Sequence, residues 1–181
     1  MTVRSLRDLA LFQIVWLAAA LGAGRGLSWP GIVTAAALVG LRLSYGPRRG
    51  RTALAILASG GLGLLAESLL VTGGFLHYSA PWPTDVLAPA WILGLWLAFG
   101  TTLEMTQSLL GSHPRAKSAL LGVIFGPLAY MAGERLGALA VPEPAWPSYL
   151  AIAMVWFVAF PALLAFQDLL QSGPRRCRAD G

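Results

Sequence analysis

The candidate ionisable side chains within the long apolar runs are Glu67, Glu104, Glu134, Arg135 and Asp168, with Arg25 at the edge of another run. An ionisable group in hydrocarbon is expensive, so each one marks either a site or a partnered structural charge. Glu67 ends a ladder of Ala55, Ser59, Gly63 and Glu67, each four residues apart. Residues at that spacing share a helix face, and small residues on a face let helices approach closely. The ladder therefore predicts that Glu67 turns into a helix bundle. Gly122, Gly126, Tyr130 and Glu134 repeat the device, with Ala129, Gly133 and Gly137 forming a second small face beside them. At about 1.5 Å per residue, Glu67 and Glu134 lie roughly 22 and 25 Å along their runs. Arg25 and Arg135 fall at similar depth, and His77 follows in the next loop. A carboxyl group held in a bundle suits general acid or base catalysis, and guanidinium groups suit bidentate phosphate contact. Glu67, with Glu134 as a second carboxyl, is thus the candidate acid or base, and Arg25, Arg135 and His77 are candidate substrate or phosphate ligands. The structural alternative pairs Glu67 and Glu134 with Arg25 and Arg135 to fix helix register.

A second polar group lies nearer the opposite end of the runs. Thr101, Glu104 and Ser108 are spaced i, i+3, i+7, with Gln107 beside them, and Gln13 and Asp168 are at comparable depth. Arg115 and Lys117 can reach them by snorkelling. Here the structural alternative is that Glu104 and Asp168 are boundary residues neutralised by loop arginines.

The elements that must position these groups follow from composition. The chain has 181 residues, 56% of them hydrophobic and 12% charged, whereas soluble domains carry about a quarter charged. So small a soluble domain could not bury that much apolar surface. A membrane-crossing helix needs about 20 apolar residues. The apolar runs predict an all-α polytopic bundle, a single domain with spans at 9–24, 28–45, 52–72, 86–110, 116–139 and 146–170, and a basic tail at 171–181. Gly, Pro and charged residues separate the runs, as in Gly46-Pro47-Arg48-Arg49, Pro81-Trp82-Pro83, His113-Pro114-Arg115 and Pro142-Glu143-Pro144. Pro127 should kink the fifth span.

Basic residues set the expected orientation. With the N-terminus inside, Arg4, Arg7, Arg42, Arg48, Arg49, Arg51, Arg115, Lys117, Arg175, Arg176 and Arg178 are cytoplasmic, eleven of the thirteen, and only Arg25 and Arg135 lie outside. Both termini are then cytoplasmic, and an even number of spans is required. Trp29, Trp82 and Trp146 fall at the expected outer boundary, where indoles prefer to sit, while Trp16, Trp91, Trp96 and Trp156 are expected to pack within the bundle. The net charge of +5 is spread over short clusters between apolar runs, which fits loops near anionic lipid and not nucleic acid. Cys177, the lone cysteine, is read as an inert thiol. Arg4 and Arg7 ahead of an apolar run also fit a cleaved signal peptide, but the tight hairpin at Arg25-Gly26 and the Gln13 within the run favour a retained span. Leu64-Leu65-Ala66-Glu67-Ser68-Leu69-Leu70 faintly echoes Leu163-Leu164-Ala165-Phe166-Gln167-Asp168-Leu169, a weak sign of an inverted repeat.

No H-E-x-x-H, Walker loop, G-x-S-x-G or paired D-x-x-x-D occurs. His77 and His113 are expected on opposite sides of the membrane, so they cannot share a metal or a haem. No cofactor is expected.

Several blocks occur in order: Phe12-Gln13-x-x-Trp16, Leu21-Gly22-Ala23-x-x-Gly26-x-x-Trp29, Glu67-Ser68-Leu69, Pro89 to Leu103 with its two tryptophans, and Phe125-Gly126-Pro127-Leu128-Ala129-Tyr130-x-Ala132-Gly133. Together they resemble a bacterial integral-membrane family catalogued as domain of unknown function 2878. The resemblance covers nearly the whole chain, and Phe-Gly-Pro-Leu-Ala-Tyr is its most specific part. It implies a small protein of the bacterial inner membrane, sometimes encoded near fatty-acid or lipid-modifying enzymes, with Asp or Glu at the position of Glu67. It carries over no catalytic residues. Three functions are open at this point: a lipid-facing enzyme or its accessory subunit, a scaffold that partners another membrane protein or a second copy, and a proton-coupled transporter using Glu67 and Glu104.

Overall fold

The computed structural model describes residues 3–45 and 48–172, with side chains from Leu6 onward. The side chain of Arg4, and Arg175, Arg176, Cys177 and Arg178 of the tail, lie outside the described residues.

Five of the six apolar runs become one helix each, and the fourth becomes two. The order is α1 (Val3–Ala23), α2 (Trp29–Ser44), α3 (Arg49–Thr72), a short strand β1 (His77–Tyr78), α4 (Ala90–Gly100), α5 (Leu103–Leu110), α6 (Pro114–Arg135), β2 (Leu139–Ala140) and α7 (Trp146–Gln171). Helices α2, α6 and α7 start with proline in their first turn, where its missing N–H loses nothing. Four helices are long and apolar enough to cross a membrane: α1 over Leu6–Ala23, α3, α6 and α7. Helices α2 and α4 are apolar but shorter.

The bundle has an apolar surface, and a few polar side chains are buried within a mainly apolar core. Leu57, Leu65, Leu69, Leu120, Phe125, Met154, Phe157 and Val158 are exposed, whereas Ser59, Glu67, Ser118, Ser148 and Gln167 are buried. So apolar a surface suits a bilayer, which wets apolar side chains and leaves buried polar ones to one another.

Helix α4 is central. It packs against α1, α2 and α3, while α7 packs against α3 and α6. The small-residue ladders make these contacts. Ala55, Ser59, Gly63 and Glu67 are all buried, and Ser59 Oγ donates to the Trp96 carbonyl at 2.6 Å. A Cβ at Gly63 would lie 2.0 Å from Trp96 Cγ, and one at Gly126 would lie 2.6 Å from Trp156 Cδ1. Glycine at each position is what admits an indole between helices.

The structure differs from the expected spans in three places. The fourth does not begin at residue 86: residues 86–89 are outside the helix, because Pro89 is extended at the N-cap of α4 and the residue before a proline avoids helical geometry. The same span is broken at Thr101-Thr102, whose N–H groups turn back to the carbonyls of Ala98 and Phe99, three residues earlier. Their hydroxyls donate to the same two carbonyls, at 2.6 and 2.7 Å. The fifth span, α6, ends at Arg135, and Leu139-Ala140 instead pairs antiparallel with His77-Tyr78. That two-residue ladder joins the loop after α3 to the loop after α6. Helix α6 continues through Pro127.

Candidate functional site

Glu67 is 0% exposed, and three elements converge on it. Trp96 Nε1, on α4, donates to Oε1 at 3.0 Å. The Tyr130 hydroxyl, on α6, also donates to Oε1. The Tyr78 hydroxyl, on β1, donates to Oε2 at 2.7 Å. All four side chains owe their position to local features already described. The α3 ladder turns Glu67 inward, Gly63 admits Trp96, the α6 ladder aims Tyr130, and pairing of β1 with β2 lowers Tyr78 onto the bundle.

The surroundings are aromatic. Tyr78 meets Trp91 edge-on with ring centres 5.2 Å apart, and the Trp91 indole N–H donates to the Ala80 carbonyl at 3.1 Å. Trp96 stacks on Trp156 at 4.8 Å and 16°. The Trp156 Nε1 is buried near the Tyr130 hydroxyl without hydrogen-bond geometry to it. Burial, followed by the neighbouring Glu67, pushes the Tyr78 hydroxyl well above the usual tyrosine range, so it keeps its proton and remains a donor.

Glu134 has a separate set of partners. It accepts from the Val141 N–H at 3.1 Å and from the Tyr149 hydroxyl at 2.5 Å, tying the end of α6 to the start of α7. Arg135, Arg25 and His77 are exposed, and Arg25 reaches only the Leu21 carbonyl, at 3.5 Å. Among the described residues the expected outer group does not form one cluster, and neither Glu67 nor Glu134 has a guanidinium partner. The physical reason is direction. Arg25, in the turn after α1, and Arg135, at the end of α6, are exposed, whereas the ladders turn the carboxyls inward, where hydroxyl and N–H donors satisfy them.

At the other end, loop and helix-end arginines do meet the acids. Arg42 pairs with Glu104 at 3.0 Å and Arg115 with Asp168 at 2.9 Å, while Gln107 donates to Asp168. Lys117 caps the Leu110 carbonyl at 2.7 Å. Gln13 is exposed on α1, apart from this group. Thr101 is buried at the break between α4 and α5. It borders a cleft of about 260 Å³ and a second one with room for about a single water. Glu67 lines neither cleft.

The model of a known family matches residues 5–162. The chain belongs to the family described as "Protein of unknown function (DUF2878)". No curated protein and no solved structure matches. Membership in DUF2878 agrees with the resemblance drawn from the ordered motif blocks, and the matched stretch includes the centre around Glu67.

Of that centre, the sequence pointed to Glu67 but missed Trp96 and Tyr78. Tyr130 was visible on its ladder, and a buried phenol usually seeks a hydrogen-bond partner. Trp96 carries a buried N–H of the same kind, but nothing in its apolar run says which acceptor it meets, and Tyr78 depends on a strand pairing of two residues.

Proposed function

We propose that this DUF2878 protein is a structural or accessory subunit of the bacterial inner membrane, crossing it six times with both termini in the cytoplasm. In this reading Glu67 is a polar clamp and not a catalytic acid. The observation that carries the reading is the enclosure of Glu67 by neutral donors from three elements. Each of its oxygens is occupied by the protein itself, so a substrate atom would have to displace a tyrosine or Trp96. Orientation is supported by charge. Arg7, Arg42, Arg49, Arg51, Arg115 and Lys117 belong to helix ends that meet at one end of the bundle, and Arg25 and Arg135 lie at the other. Trp29, Trp82 and Trp146, all exposed, mark that second end as an interfacial belt.

The test is complementation of a deletion strain, with lipid composition as readout. Glu67→Gln is expected to restore the wild-type profile, because the amide keeps the clamp. A Glu67→Gln protein that accumulates normally but fails to complement would overturn the clamp and restore the acid–base reading. Reporter fusions at both termini test the topology, and an external C-terminus refutes it. One observation favours transport as a second reading: the break at Thr101-Thr102, since interrupted helices often line solute paths. Flux driven by a pH gradient in proteoliposomes would decide for it.

A further inference from the structure

The larger cleft lies at the basic end of the bundle, between the start of α1 and the end of α2. Arg7, Asp8 and Leu11 line it from α1, Leu38, Leu41 and Arg42 from α2, and Thr101 at the helix break. Its lining is ordered by depth. Leu11 and Leu38 each lie four residues inward of an arginine, about 6 Å deeper along their helices. Guanidinium groups therefore sit at the mouth with Leu11 and Leu38 below them and Leu41 level with Arg42, which is the polarity of a lipid headgroup above its first methylenes.

The mouth has hydrogen-bonding capacity in reserve. Arg42 spends one terminal nitrogen on Glu104, but its Nε is buried with no partner among the described residues. A buried guanidinium N–H without an acceptor calls for one. In the adjoining small cleft, which shares Arg42 and Thr101, the Gln167 Oε1 is buried without a partner among the described residues; as an acceptor it suits a water and not the phosphate. Arg7 is more exposed and, among the described residues, is held only by its neighbour Asp8, at 2.9 Å, so it can swing toward a ligand.

We propose that this cleft binds one phospholipid, with its phosphate on Arg42 and Arg7 and the upper part of an acyl chain against Leu11, Leu38 and Leu41. Guanidinium binds phosphate through paired N–H groups, which a point charge cannot imitate. The site is remote from the Glu67 centre and requires only that the basic end of the bundle lie at a headgroup layer.

Native mass spectrometry of the detergent-solubilised full chain tests it, with phosphatidylglycerol, phosphatidylethanolamine, diacylglycerol and inorganic phosphate as separate probes. One phospholipid is expected to bind, with diacylglycerol and inorganic phosphate each weaker by about tenfold or more, because each lacks one half of the contact. Arg42→Gln is expected to weaken the phospholipid by a similar factor. Leu41→Trp, a change at a half-exposed position that leaves both arginines intact, should block the cleft and give the same loss. Equal binding of diacylglycerol, or phospholipid binding unchanged in both variants, overturns the proposal. Inorganic phosphate binding as tightly as the lipid overturns the acyl-chain part and leaves a phosphate site.

Discussion

Replacing Glu67 by Gln and by Ala should have very different effects on stability. Ala removes the acceptor from Trp96, Tyr78 and Tyr130 together. Within a bilayer an interhelical hydrogen bond is worth about 0.6 kcal/mol on average, which puts the floor for three near 2 kcal/mol. A buried donor left unsatisfied loses about 1–3 kcal/mol, and the void adds to that. The two phenols can rotate toward each other, but the Trp96 N–H is fixed by its stack on Trp156, so full relief is not available. Glu67→Ala is therefore expected to destabilise by about 3–6 kcal/mol. Gln can place its carbonyl at the Oε1 position, still accepting from Trp96 and Tyr130. Its amide then donates to the Tyr78 oxygen, which turns from donor to acceptor. Glu67→Gln is expected to change stability by less than about 1 kcal/mol. Thermal or denaturant unfolding in a single detergent measures both. If Gln proves as damaging as Ala, the negative charge itself is required, and a network of neutral donors cannot be the reason for Glu67.

Gly63→Ala would place a Cβ 2.0 Å from Trp96 Cγ, so α3 and α4 must separate; a loss of about 3 kcal/mol or more is expected in the same unfolding assay, beyond ordinary overpacking. Tyr78→Phe removes the only donor to Oε2 among the described residues and should destabilise by about 1 kcal/mol, with the effect largely absent in a Glu67→Ala background if the two act as a pair. Arg115→Ala breaks a pair whose guanidinium is 60% exposed; screening limits its effect to about 1 kcal/mol or less, and a larger measured loss would show that Asp168 is better desolvated than its geometry implies.

What was legible in the sequence was one-dimensional in origin. Apolar run length and the Gly-Pro-Arg punctuation determine that the chain is helical and suited to a bilayer, because a bilayer crossing is a requirement on consecutive residues. The four-residue ladders determine which face of α3 and α6 is buried, because helical periodicity is local. Glu67 was found through both rules. Its partners were not, since nothing local to Trp96 or Tyr78 records that α4 lies against Gly63 or that β1 pairs with β2. The tertiary structure alone decided that the guanidiniums of Arg25 and Arg135 point away while neutral hydroxyl and indole groups reach the carboxyl. It also decided that Arg42 and Arg115 find Glu104 and Asp168 from distant positions in the chain. Spacing along one helix fixes a direction, but the identity of what lies in that direction is set by how the helices assemble.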